Sequence, residues 1–133
     1  MKKAFFHGII AGILAAIAGI VYFKIYQNAE GTEFDKIINL GSISGASIFG
    51  CMLMAITYWA LERFNKEKWK GFINIVIAAL SFASIISPIS MSLPLDIKNP
   101  ELFPGLVIPM HFLPALAFFC LVPFFTGKAV KGN

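Results

Sequence analysis

Residues 5–26 read FFHGIIAGILAAIAGIVYFKIY, and the one formal charge in this run is Lys24, close to its end. At 1.5 Å per residue such a helix is about 33 Å long, enough to cross a hydrocarbon core of about 30 Å. The run is not alternating, so it does not fit the strand of a membrane barrel, where lipid-facing and lumen-facing residues take turns. In lipid an unpaired backbone amide has no water to bond, so a helix is the spanning form left.

Three further runs of the same kind follow, over residues 39–61, 71–93 and 106–125. The whole chain has 133 residues, of which 58% are hydrophobic and 14% charged. Soluble domains are about 45–50% apolar and about 25% charged, and a domain this small buries too little of its surface to hide the excess. A water-soluble globule, a disordered tail and a nucleic-acid module are thereby excluded. The predicted fold is all-α: one transmembrane domain, residues 1–133, built as an antiparallel bundle of four membrane helices with short connections.

Charge sets the expected direction. Lys2, Lys3, Arg63, Lys66, Lys68, Lys70, Lys128 and Lys131 fall on one side of the spans, and Lys24, Lys36 and Lys98 on the other. Glu30, Glu33, Asp35, Asp96 and Glu101 share that second side. Basic loops are retained in the cytoplasm, which predicts both termini inside, in the cytoplasmic (inner) membrane of a bacterium. Lys2-Lys3, the apolar run and Ala16-Ile17-Ala18 also have the form of a signal peptide, but the run continues through Val21-Tyr22-Phe23, and an uncleaved span is expected.

Small residues recur at every fourth position, the spacing that lets membrane helices approach closely. Gly8, Gly12 and Ala16 form one strip on the first span, with Ala11, Ala15 and Gly19 beside it. Gly41 and Gly45, and Ser42, Ala46 and Gly50, form two on the second. These are the expected helix-packing residues, and the first span is the expected face for a second copy or a membrane-protein partner. Trp59, Trp69 and Tyr58 bracket the basic loop as interfacial anchors.

Polar side chains gather in the acidic half: Ser42, Ser44 and Ser47 on the second span, Ser84, Ser87 and Ser90 on the third, His111 on the fourth. Pro88, Pro94, Pro104, Pro109 and Pro114 lie at that level, and an internal proline frees a carbonyl four residues back. Together they suggest a shallow outward-facing polar vestibule lined by His111, Ser42, Ser47, Ser84, Ser87 and Ser90. Serines in membrane helices also bond their own backbone, which is the plainer reading.

His7 and His111 lie near opposite ends, so a single haem between them is not expected. Cys51, Met54 and Cys120 lie at similar depth as soft ligands, but both sulfur residue types are ordinary packing groups. Neither metal nor cofactor is expected, nor is nucleic acid as a partner. No catalytic motif, paired membrane carboxylate or phosphate loop is present, so an enzyme is not expected. The expected role is a helix-packing or assembly subunit, homo-oligomeric or joined to another membrane protein. The alternative is a small transporter or channel-like protein whose vestibule admits a proton, cation or small solute.

Overall fold

The computed structural model describes residues 2–126; Met1 and residues 127–133, including Lys128 and Lys131 of the charge pattern, lie outside the described residues. Helices α1 (Lys2–Glu30), α2 (Leu40–Arg63), α3 (Lys70–Ser84), α4 (Ile86–Ser90) and α5 (Phe103–Thr126) are joined by turns, and no strand occurs among the described residues. Four segments, Lys2–Glu30, Leu40–Arg63, Glu67–Ser90 and Pro100–Phe125, are long and apolar enough to cross a membrane.

Local sequence explains where the helices stop. Gly31 takes a left-handed backbone (φ 62°), and the Thr32 amide reaches back to the Gln27 carbonyl at 3.1 Å. This closure satisfies carbonyls that the end of α1 leaves open, and glycine adopts it without steric cost. Asn65 (φ 54°) ends α2 in the same way, with the Lys66 amide on the Leu61 carbonyl at 2.8 Å. At the start of α2, Asn39 and Ser42 cap each other: the Ser42 amide donates to Asn39 Oδ1 at 2.8 Å, and the Asn39 amide to Ser42 Oγ at 3.0 Å.

The third span differs from the uninterrupted run over 71–93. The helix breaks at Ile85, resumes as α4, and gives way to extended chain at Met91. Pro88 has no amide to offer the Ser84 carbonyl, and its ring crowds the preceding turn. In α5 three prolines, Pro109, Pro114 and Pro123, leave the helix continuous. The carbonyl that Pro109 strands, on Gly105, is taken by the Tyr22 hydroxyl at 2.8 Å. Tyr26 likewise donates to the Leu102 carbonyl at 2.7 Å, pinning the end of α1 to the start of α5.

Helix α1 packs chiefly on α2 and α5. Its buried residues are mostly small: Gly8, Ala11, Gly12, Ala15, Ala16 and Gly19. A Cβ on Gly12 would stand 2.8 Å from Ile48 Cα, and one on Gly8 2.8 Å from Ala55 Cβ. Both strips of the first span are thus turned inward, against the chain itself, rather than outward to a neighbour. Gly41 and Gly45 pack against nothing beyond their own cap: a Cβ on Gly45 would meet no atom within 4 Å, and one on Gly41 only Asn39 Oδ1.

Two clusters make the core. One joins α1, α2 and α5 around Ala11, Cys51, Ala55, Tyr58 and Phe118. The other lies toward the acidic loops around Phe23, Phe34, Ile97, Phe103 and Leu106, so the loops fold over that end of the helices. Phe34 is fully buried and meets Phe103 edge-on at 5.4 Å. Lys36 pairs with Asp96 at 2.7 Å, tying the two loops together. Helix α3, by contrast, has no buried residue.

Candidate functional site

A cavity of about 630 Å³ runs between α2, α3 and α5. Its α2 wall is built from Ser42, Ala46, Ser47, Gly50, Leu53, Met54 and Thr57. Recurrence at three or four residues puts these on one face of a helix, and the small members leave the space unfilled. Ile77, Leu80, Ser81 and Ser84 face them from α3, and Val107, Met110, His111 and Pro114 from α5. Ala46, Leu53, Leu80 and Ser84 are also exposed, so the cavity is a groove open on the flank between α2 and α3.

The groove stays open because α2 and α3 are tied only near their connecting turn. There the Tyr58 hydroxyl donates to Asn74 Oδ1, and Lys70 pairs with Glu62 at 2.9 Å while lying over the Tyr58 ring. Away from that turn no hydrogen bond or ion pair joins the two helices among the described residues.

Of the residues expected to line a vestibule, His111, Ser42, Ser47 and Ser84 line the groove. Ser87 and Ser90 do not; they sit on α4, past the break at Ile85, where Ser90 bonds the Ser87 carbonyl at 3.1 Å. Thr57, Ser81 and Met110 line it without being singled out from sequence, and Met54, weighed there only as a soft ligand, lines it too. Their signal was present: the Ser42-Ala46-Gly50 strip, continued to Leu53 and Thr57, marks one α2 face lacking bulk. Gly50 therefore borders the groove, where a Cβ would stand 3.7 Å from Pro114.

The wall is overwhelmingly apolar and carries no formally charged side chain. Most of its hydroxyls are already spent. Ser42 Oγ donates to the Asn39 carbonyl at 2.8 Å, Thr57 to Leu53 at 2.9 Å, Ser81 to Ile77 at 3.0 Å and Ser84 to Ser81 at 2.7 Å. Ser47 is 6% exposed as a residue and makes no side-chain hydrogen bond, but its hydroxyl is not sealed off: the buried unpartnered side-chain oxygen among the described residues is Thr32 Oγ1. His111 Nδ1 lies 2.8 Å from the Val107 carbonyl; a carbonyl only accepts, so in the neutral ring Nδ1 holds the proton and Nε2 is a bare acceptor.

Helices α2 and α5 run in the same direction. Gly50 faces Pro114, and Cys51 Sγ donates to the Pro114 carbonyl at 3.4 Å. Three residues back along both helices stand Ser47 and His111, so the two polar groups with unspent capacity occupy one level of the groove.

The other histidine does structural work. His7 is buried, donates from Nε2 to the Phe118 carbonyl at 2.9 Å, and stacks on Phe118 and Phe125 at 4.0 and 4.8 Å. Cys51 is buried and Cys120 exposed. Among the described residues no group of three or more His, Cys, Asp or Glu side chains converges as a metal site.

Beyond the helix ends, the Lys36 ammonium hydrogen-bonds the Asp96 carboxyl and holds it below the usual carboxylate range, while Lys36 is itself raised by that bond. Comparison with protein-family models, with curated proteins and with solved structures finds no match to this chain.

Proposed function

We propose that this chain is a non-enzymatic integral membrane protein that takes a bilayer-dissolved amphiphile into the α2–α3–α5 groove and holds it for exchange. The orientation that goes with this reading puts the 64–69 turn and both termini on the cytoplasmic side, as the distribution of lysines favours. The acidic loops then face outward.

One observation carries the reading. The groove has the volume of a small-molecule site, of the order of 300–1,000 Å³, yet opens sideways where the helices expose apolar side chains such as Leu53 and Leu80. An apolar wall without a charge suits an acyl or prenyl chain. It offers a cation no carboxylate to balance its charge, which weighs against a conduit for ions.

Labelling tests this. The full-length protein in phosphatidylcholine vesicles containing a diazirine-bearing phosphatidylcholine is irradiated and mapped by mass spectrometry. Adducts are expected to concentrate on Leu53, Leu80 and Met110, and to fall several-fold in Ala46→Phe, which fills the groove. Adducts spread evenly over perimeter residues such as Ile13, Ile17 and Phe72, unchanged by that substitution, would overturn the proposal.

Assembly remains the second reading, favoured by the open space at Gly45 and Gly41 on α2. A second copy seated on this strip would give α2 the close approach that α1 already makes on its other side.

A further inference from the structure

We infer that the groove selects an apolar-chain alcohol, with the ligand's hydroxyl donating to His111 Nε2 and accepting from Ser47 Oγ. This rests on the groove being a ligand site, and adds the chemistry of the head group.

The inference begins from an imbalance. Ser47 lines the groove and makes no side-chain hydrogen bond, so its hydroxyl is left to whatever occupies that space. It is the groove hydroxyl whose proton is not committed to the backbone, since Ser42, Thr57, Ser81 and Ser84 have all committed theirs. His111 presents the complementary need. In the neutral ring its Nδ1 proton is directed at the Val107 carbonyl, which leaves Nε2 the acceptor.

The two therefore ask for different things at one level: Ser47 has a proton to give, and His111 Nε2 has one to receive. A carbonyl, ester or ether oxygen accepts from Ser47 but leaves Nε2 unpaired. An amine keeps a proton for Nε2, but its basicity adds a charge that this wall does not balance. A hydroxyl meets both, donating through hydrogen and accepting through oxygen. Its chain then lies along Leu53, Leu80, Met54 and Met110, which continue the groove in carbon and sulfur.

The α2 level of Ser47 lies about 10 Å from the start of that helix, at 1.5 Å per residue, and His111 about 12 Å from the start of α5. The ligand's hydroxyl is thus drawn below the level where head groups sit, so a phospholipid can enter the groove by its acyl chain alone, whereas a single OH can follow its chain to this level. Thioether side chains beside it, Met54 and Met110, adapt to chains of varied shape.

The experiment compares oleyl alcohol with oleyl methyl ether, which keeps the chain and the oxygen but has no donor. Occupancy of the full-length protein in detergent is read by native mass spectrometry across a titration of each probe. The alcohol is expected to bind about tenfold or more tightly than the ether, since a site built around a hydroxyl penalises the analogue that lacks it. Ser47→Ala and His111→Phe should each bring that ratio close to one while both probes still bind. Equal binding of the two probes to the unaltered protein overturns the hydroxyl assignment and leaves the groove reading standing. A preference that survives both substitutions overturns the assignment to these two residues. Failure of both probes to bind overturns this inference and counts against the groove reading with it.

Discussion

Glycines of similar spacing have opposite situations in this protein, and substitution separates them. Leucine at Gly12 meets the backbone of Ile48 at the first carbon of its side chain, so α1 and α2 must move apart. Overpacking of this kind costs about 1–3 kcal/mol. Leucine at Gly45 meets open space and is expected to leave stability unchanged. Unfolding of the two variants by heat in the same detergent checks this: a lower midpoint for Gly12→Leu and an unaltered one for Gly45→Leu. Spacing alone marks both pairs equally, which is why the sequence does not tell an occupied strip from an empty one. The same holds for serine. Composition places Ser42 near a vestibule, but its hydroxyl is engaged in capping α2, whereas Ser47, one turn and a half along, is unengaged.

At the scale of elements, the span positions follow from uninterrupted apolar runs, and helices α1, α2 and α5 begin and end within a few residues of them. The third span was legible in place but not in shape. Pro88 is plain in the sequence, yet its effect falls upstream, where the Ser84 carbonyl loses its partner and the axis breaks at Ile85. The serines beyond that break therefore leave the groove, which no helical wheel drawn over 71–93 would reveal. The acidic loops are held by a different device. Lys36 keeps Asp96 ionised below the ordinary carboxylate range, so the tie contributes above that range and is lost as pH falls through Asp96's lowered value. On the alkaline side it is lost as pH rises through the raised value of Lys36. Amide exchange over residues 34–38 is expected to quicken in Asp96→Asn at neutral pH, and the unaltered protein should approach that behaviour only in strong acid. Equal protection in both at pH 7 would show that the bridge does not hold the loops.

For the whole molecule, hydrophobic composition and the length of the apolar runs were enough to foresee four helices long and apolar enough to cross a membrane. They did not foresee the groove, because a gap depends on which small residues face each other across helices, and that register is a tertiary property. Ser47 and His111 lie 64 positions apart in sequence and on one level in space. Direction across the bilayer has its own test. With Cys51 and Cys120 replaced by alanine, Glu33→Cys is expected to react with a membrane-impermeant maleimide on intact cells, and Lys66→Cys only after permeabilisation. The reverse pattern would invert the orientation proposed above.

Helix α3 has no buried residue and is fastened to α2 only beside their common turn. Its other hold is on α5, where Phe82 meets Phe112 edge-on at 4.8 Å near the far end, so the seam free to widen is the one between α2 and α3. In the membrane placement proposed above, lateral pressure acts directly on that seam. Tightly packed, saturated lipid would then press that seam shut and looser, unsaturated lipid would let it part, so that in the proposed setting fluidity governs entry to the groove.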